Sequence, residues 1–589
     1  MPILALRVFS AWRARFLADL MFATGFYRVL LAKSRVLFVP GRRLSMKFTH
    51  PMRPAFWATL GARMTSKKVT GFKLMLSTSV VSSMTFLSRI LGLVRDIVFA
   101  RFFGASLVMD AFLVANRIPN MLRRFFAEGA FSQGFVPVMA RYREKHSHED
   151  AKEFVDAVAG TFGIILFLVT LIGVIAAPLL VAVVAPGFVG ADGRFDLATL
   201  MLRFTFPYLF FVSLTAFAGG ILNTYDRFAV PAFTPVILNI VLIAGAIWLA
   251  PMLQEPGMAL AYAVFVAGLL QLIFQIPFLL KIRALPRPKW AIHHEGVRRA
   301  GRLMLPAIFG SSVAQVNVLI GGIIASMLGV GKISLLYYSD RLMEFPLGLF
   351  GIALATVTLP YLSRQHANGL HEEFSATLDW SMKLVLLIAV PAAIGLIGLA
   401  EPLVATIFYG GVFSEDDVRM TALALQAFAV GLVGFSYVKI LAPAYFARED
   451  TKTPVRIGLI ALAVNFVLSV SLAWYLTSIG YAGTHAGLAI AISVAALLNA
   501  LLLYRGLIRD AVLQHSGGWL ALLLQVAVAN VAMWAVIAWL DRPLTWWLDV
   551  EILDRATWLG ISILAGAGAY FVVLLALGLR PSKLGMKTH

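Results

Sequence analysis

Arg89, Arg95, Arg117, Arg123 and Arg124 stand in stretches of this chain that are otherwise apolar enough to be membrane helices, with Asp96, Asp110 and Glu128 among them. Arg101, close by, falls where a loop is expected. A charge at the middle of a bilayer costs ~2.5–3.5 kcal/mol even on the most lenient insertion scales. Such side chains persist where they face one another or water. They restrict the fold to a helical bundle around a polar path. Because guanidinium groups outnumber nearby carboxylates, the expected traveller on that path is an anion.

The rest of the composition agrees. Of 589 residues, 60% are hydrophobic and 14% charged, with a mean hydropathy of +0.85; soluble domains carry roughly 25% charge. The chain reads as an all-α integral membrane protein of spans and short loops, without room for a large soluble catalytic domain. It has no cysteine, which excludes disulfides, thiolate metal sites and cysteine nucleophiles. His293-His294 reads as solvated loop, since no further ligands stand at metal-site spacing. No glycine-rich, lysine-bearing phosphate loop occurs, so nucleotide hydrolysis is not the energy source. Neither an enzyme, a metal nor a cofactor is expected; a coupling ion stays open.

The net charge of +20 is unevenly spread: residues 1–73 hold 14 Lys/Arg against one acid, Asp19. A basic leader on a membrane protein suits anionic lipid at the cytoplasmic face rather than nucleic acid. The leader, taken as 1–72, offers neither a clean span nor a signal-peptide pattern, and Met64, followed by Thr65-Ser66-Lys67-Lys68, is an alternative start.

Hydropathy predicts fourteen spans, near 74–100, 105–141, 155–185, 199–224, 231–250, 258–282, 300–328, 332–363, 378–409, 418–447, 455–478, 484–508, 518–540 and 555–579. The second and eighth are too long for a simple crossing and are expected to tilt or to extend beyond the bilayer. Loops alternate between acidic or neutral, as at Ser414-Glu415-Asp416-Asp417, and basic, as at Arg141-Tyr142-Arg143-Glu144-Lys145 and Lys281 to Arg302. The positive-inside rule then puts both termini in the cytoplasm.

The chain also repeats itself. Asn116-Arg117 with Pro137 and Arg141 in the second span matches Asp340-Arg341 with Pro360 and Arg364 in the eighth; the prolines lie 223 positions apart (360 − 137). Tyr225-Asp226-Arg227 before Pro231 echoes Tyr445, Arg448 and Pro454, and the two prolines are again 223 positions apart (454 − 231). This predicts two six-helix lobes, 73–290 and 291–510, related by a pseudo-twofold axis along the membrane normal, plus a pair of extra spans and a tail at 511–589. Substrates of such proteins sit between the lobes, which rock against each other. The first span carries Arg89, Arg95 and Asp96, whereas the matching seventh has only Ser311, Ser312, Gln315 and Asn317. The second lobe supplies Asp340, Arg341 and Glu344.

Arg89 and Arg95 are about 120° apart around one helix, so they suit a broad wall rather than one narrow spot. Arg124 and Glu128 stand at ion-pair spacing. Arginine presents a planar fork for phosphate and stays charged. The cluster therefore points to a diphosphate or similar anion, against the competing reading that each arginine merely pairs with Asp96, Asp110, Glu128, Asp340 or Glu344. Arg341–Glu344 reads as a structural bridge or part of a gate, with the Arg117 and Arg341 segments facing each other. Lys439, inside the tenth span, is a further buried-charge candidate or a snorkelling lysine.

Four runs carry a family resemblance: Ser83–Asp96 (SMTFLSRILGLVRD), Asp110-Ala111-Phe112, Pro119–Gln133 (PNMLRRFFAEGAFSQ) and Tyr338–Pro346 (YSDRLMEFP). The chain resembles the MurJ (MviN) lipid II flippases over about residues 72–580. The resemblance implies the fourteen-span fold of the multidrug/oligosaccharidyl-lipid/polysaccharide exporters. It also implies movement of undecaprenyl-diphosphate-linked peptidoglycan precursor between leaflets of the bacterial inner membrane. It further implies that Arg89, Arg95, Arg123 and Arg341 meet the diphosphate; the charge pattern adds Arg124 beside Arg123. Asp110, Ser334 and Glu344 are implied in function, and the last two spans to form a groove for the polyprenyl tail; the charge pattern adds Asp96, Glu128 and Asp340 to them as gating or functional candidates. Implied partners are lipid II, membrane lipids and proteins of cell-wall synthesis and division. The alternatives are an exporter of another lipid-linked oligosaccharide or drug, and a membrane-embedded transferase. The latter would need acids or a histidine on a sizeable outward loop, which only Asp541 to Asp554 offers.

Overall fold

A computed structural model describes residues 54–124, 130–145, 147–190, 193–348 and 352–579, with side chains from residue 79 onward except at 130, 132–133, 305–314, 316 and 352–357. Among the described residues there is no β-strand, only one isolated bridge between Gly410 and Phe413. The helices, in order, are α1 (Pro54–Phe103), α2 (Leu107–Arg123), α3 (Ala130–Lys145), α4 (His148–Ile175), α5 (Ala177–Val184), α6 (Arg194–Thr205), α7 (Tyr208–Thr224), α8 (Ala229–Ala244), α9 (Met258–Lys281) and α10 (Glu295–Ser326). They continue with α11 (Lys332–Pro346), α12 (Ile352–Ala367), α13 (His371–Gly398), α14 (Ala400–Ile407), α15 (Glu415–Ala447), α16 (Lys452–Ser478), α17 (Thr484–Arg509), α18 (Trp519–Leu540), α19 (Leu544–Asp549) and α20 (Ile552–Ala576). The helix of the first expected span begins twenty residues earlier than 74, at Pro54; residues 1–53 of the leader lie outside the described residues.

Among the described residues, ten helical segments are long and apolar enough to cross a membrane. The expected spans outside that set are the first, second, seventh and eighth. These are the ones bearing Arg89, Arg95 and Asp96; Asp110, Arg117, Arg123 and Arg124; the Gln315–Asn317 stretch; and Asp340, Arg341 and Glu344.

The second and eighth spans are not the plain long helices expected. In each, the α-helical ladder gives way to π geometry, at Arg124 and at Leu347–Gly348. The two turns are 223 positions apart (347 − 124). Pro346 and Gly348 account for the second: proline lacks the N–H the ladder needs, and glycine holds helix poorly. Insertions of this kind recur at functional sites.

The repeat extends to the turns. Asp226 and Glu449, 223 positions apart (449 − 226), both take left-handed backbone, φ 60° and 62°. Each is followed by the same closing bond, Arg227 N–H to Leu222 C=O at 2.9 Å and Asp450 N–H to Tyr445 C=O at 3.0 Å.

Close packing follows the small residues. A Cβ at Gly431 or Gly434 of α15 would strike Ser493, or the backbone of Ala496 and Leu497, on α17. Small faces let two helices approach where lipid supplies no hydrophobic drive. One apolar core, containing Phe99, Phe112, Tyr338, Phe408 and Phe413, draws on both halves of the chain. A second holds Phe131, Phe135, Phe154 and Phe217 from the first half, and a third Leu362, Phe374, Tyr445 and Leu503 from the second half. The halves thus share a core where α2 and α11 begin and keep separate cores where α3 and α12 lie. α10 spans the difference, packing on α3 and α4 as well as on α16 and α11.

Candidate functional site: an interlocked seam and an arginine group

Helix α11 starts at Gly331, whose φ of 81° puts it in left-handed backbone and which has no side chain to cap the helix. The cap comes from α2. The Asp110 carboxylate, fully buried, accepts from Gly331 N–H at 2.6 Å, from Ser334 N–H at 2.9 Å and from Ser334 Oγ at 2.6 Å. An anion at the positive end of a helix, satisfying N–H groups that α11 itself leaves orphaned, is a favourable buried contact. Around it Tyr338 donates its hydroxyl to Gly104 C=O at 3.2 Å, and Val412 N–H to Arg101 C=O at 3.0 Å. Gly187 N–H donates to Ser326 Oγ at 3.2 Å. At Gly331 a Cβ would run into Ala105, and at Gly187 into Ser326. This seam is closed by backbone against backbone.

Farther along α11, where it meets α1 and α8, lies a polar knot. Arg95 donates to Asp96 through Nε (2.9 Å) and Nη2 (2.7 Å), to Asn239 Oδ1 (3.0 Å) and to Tyr337 Oη (3.1 Å). Tyr337 donates its hydroxyl to Asp96 at 2.7 Å. Arg341 approaches the other oxygen of Asp96 at 3.5 Å, lies over the Tyr337 ring at 5.1 Å, and donates to Glu344 at 2.9 Å. Asp96 is almost wholly buried, whereas Arg341 and Glu344 are substantially exposed. Three residues expected to act on a ligand or a gate, Arg95, Asp96 and Arg341, are therefore joined, and Arg95 has its donors occupied.

Arg89 is exposed and runs along the backbone of Gly348, one turn past Glu344. It lies apart from Arg95, as their angular separation requires. Lys439 of α15 is within Coulombic reach of Glu344 and Arg89, so its positive end belongs to this group. Arg123 reaches Asn120 at a long 3.4 Å, and the exposed Arg124 reaches Gln315 of α10 at 3.5 Å. Asp340 is partly exposed, within Coulombic reach of Arg117 and Glu344. Glu128 lies outside the described residues, and with it the expected pair to Arg124. Among the described residues no group of three or more His, Cys, Asp or Glu could hold a metal ion.

Asn239 and Tyr337 were missed from sequence. Asn239 sits between Leu238 and Ile240 in an apolar span, and the rule that singled out the arginines would have found it. It is anchored from both sides, donating to Ser88 C=O at 3.0 Å.

The chain is thus a helical bundle whose halves interlock through an aspartate cap, with arginines gathered beside the seam. The family model "Lipid II flippase MurJ" matches residues 99–576. The chain belongs to the MurJ family of lipid II flippases. It is 44% identical over 524 residues to the "Probable lipid II flippase MurJ" of Vibrio cholerae, covering 88% of this chain and 98% of that one. It is 42% identical over 505 residues to the "Lipid II flippase MurJ" of Burkholderia cenocepacia, covering 85% and 96%. Among solved structures it is similar to "Lipid II flippase MurJ, inward closed conformation", with a TM-score of 0.69 and 28% identity over 84% of this chain and 97% of that one. An inward-facing multidrug transporter of the MATE family, in the MOP superfamily, matches at a TM-score of 0.58 and 16% identity over 74% of this chain and 98% of its own; this is a likeness of fold. MurJ proteins are transporters, so this chain is a multi-pass membrane transporter and not an enzyme.

Proposed function

We propose that this chain moves lipid II, the undecaprenyl-diphosphate-linked peptidoglycan precursor, from the inner to the outer leaflet of the inner membrane by alternating access. A sugar-peptide headgroup bearing a diphosphate cannot cross hydrocarbon, while its polyprenyl tail can stay there. A wet, cationic, laterally open cavity meets both demands. In this reading fourteen spans form two six-helix lobes, 73–290 and 291–510, with the last two spans beside them for the tail. Both termini are cytoplasmic by the positive-inside rule. The Asp110–Gly331–Ser334 seam then lies toward the outer leaflet and is shut.

The observation that carries this reading is the contrast in how charges are satisfied. Asp110 is saturated by its neighbours, whereas Arg89 is exposed, the exposed Arg124 reaches Gln315 only at 3.5 Å, and Arg341 is half-exposed on its way between Asp96 and Glu344. Guanidinium groups held loosely beside a closed seam can take a diphosphate in bidentate fashion. Arg95 shapes the site by fixing Asp96 and Tyr337, which in turn hold Arg341. Glu344 and Asp96 compete for Arg341, and a bound phosphate would join that competition. Each charge moved across the membrane is worth ~2.3 kcal/mol per 100 mV, so the potential or a counter-ion can drive the return.

The test is transfer of lipid II across proteoliposomes by the full chain, with another lipid-linked oligosaccharide as comparison. Transfer of lipid II that is lost in Arg89→Ala supports the reading. Equal transfer of both lipids, or transfer indifferent to Arg89, overturns it.

A further inference from the structure

We infer that Arg117 is a second anion station, which receives the diphosphate as the outer seam parts. The inference rests on the flippase reading above. Arg117 lies on α2 between Asp110 and Arg123, ~9 Å along the helix axis from Arg123. It is thus placed between the shut seam and the inner arginines. Its Nη1 is buried and has no hydrogen-bond partner among the described residues. The guanidinium is pressed onto the backbone of Gly322 on α10, so that a Cβ there would collide with Nη1 and Cζ. Asp340 and Asp110 are within Coulombic reach, but Asp110 already accepts from three donors of α11.

An arginine with an unmade hydrogen bond in the interior is a poor stabilising element, because the buried donor costs free energy that a pair would recover. What the position does offer is a charged fork, covered by a glycine that has room for it. Gly322 belongs to α10, the helix that packs on both halves of the chain. When the halves part at the seam, α10 and α2 change register, and the covered fork is bared on the outward side of the path. Arg117 then supplies paired donors to a phosphate that has left the Arg89–Arg341 group. The competing role is counter-charge to Asp340, and the two roles differ in what a charge-neutral pair would do.

The experiment measures lipid II transfer by the reconstituted full chain carrying Arg117→Gln, Arg117→Lys, Asp340→Asn and the double variant Arg117→Gln/Asp340→Asn, with Arg89→Ala in parallel. The loss of one charge-assisted contact corresponds to about tenfold. Arg117→Gln should slow transfer by that factor, Arg117→Lys should recover most of it, and the double variant should be no faster than Arg117→Gln. Transfer at the parent rate in Arg117→Gln, or its restoration by Asp340→Asn, overturns the inference. If Arg117→Gln does not fold, Gly322→Ala, which displaces the guanidinium and keeps its charge, is read instead: a similar loss supports the station and the parent rate overturns it. If Arg89→Ala transfers normally, the flippase site itself is misassigned, an outcome separate from any seen at Arg117.

Discussion

The seam and the arginine group share α2 and α11, with α1 adding Arg89 to the second, and they treat charge in opposite ways. At the seam, Asp110 is buried, accepts from one side chain and two backbone N–H groups of α11, and sits among glycines that admit no side chain. In the arginine group, contacts are shared, long or open: Arg341 divides itself between Asp96 and Glu344, Arg124 reaches Gln315 only at 3.5 Å, and Arg89 lies exposed along a glycine backbone. A charge completed by the protein holds a conformation. A charge left incomplete is available to a ligand.

The largest effect is expected in the arginine group. Arg89→Ala removes up to two charge-assisted contacts to a phosphate, each worth ~1.5 kcal/mol or more, and should lower lipid II transfer by about 100-fold. Membrane insertion and thermal stability should stay near those of the parent, since Arg89 is exposed and belongs to none of the apolar cores. Transfer rates with melting curves on the same preparation check this. A large fall in melting temperature would move Arg89 to the structural side of the comparison.

Asp110→Ala should act through conformation. It strands the Gly331 and Ser334 N–H groups in a buried seam, at about 1–3 kcal/mol for each. The population should shift away from the shut seam, seen as increased labelling of a cysteine at Lys332 by a membrane-impermeant maleimide. Binding of lipid II to the detergent-solubilised protein should persist. Loss of binding with unchanged labelling would mean that Asp110 belongs with the ligand.

Ser334→Ala is the smallest case. It removes one of the three donors to Asp110 and leaves the backbone cap intact, so about 1 kcal/mol, or roughly fivefold in the same labelling equilibrium, is expected. An effect as large as that of Asp110→Ala would show that the hydroxyl, not the helix N-terminus, holds the seam.

The two regions also differed in how far they could be read beforehand. Arg89, Arg95 and Arg341 stood out because charge in an apolar run is conspicuous at any register. The seam did not, because its main donors are backbone groups at a glycine, which no side-chain pattern displays; Asp110 stood out as a charge but its partners did not, and Ser334 came from family resemblance. Tyr337 was hidden for another reason, since an aromatic beside Tyr338 in a helix reads as core. The exceptional length of the second and eighth spans was visible, but its cause was not. Hydropathy measures extent, whereas the π turns at Arg124 and Leu347 are departures in backbone geometry. The repeat was legible in side chains and recurs in turns at Asp226 and Glu449 that composition alone would not mark.

The central claim is that lipid transfer requires this seam to open, and the chain has no native cysteine to interfere with a direct test. Cysteines at Ala105 and Lys332, on either side of the seam, can be joined by a short cleavable bismaleimide in the reconstituted protein. Crosslinked protein should bind lipid II and transfer none, and cleavage of the linker should restore the parent rate. Undiminished transfer with crosslinking complete would contradict the account.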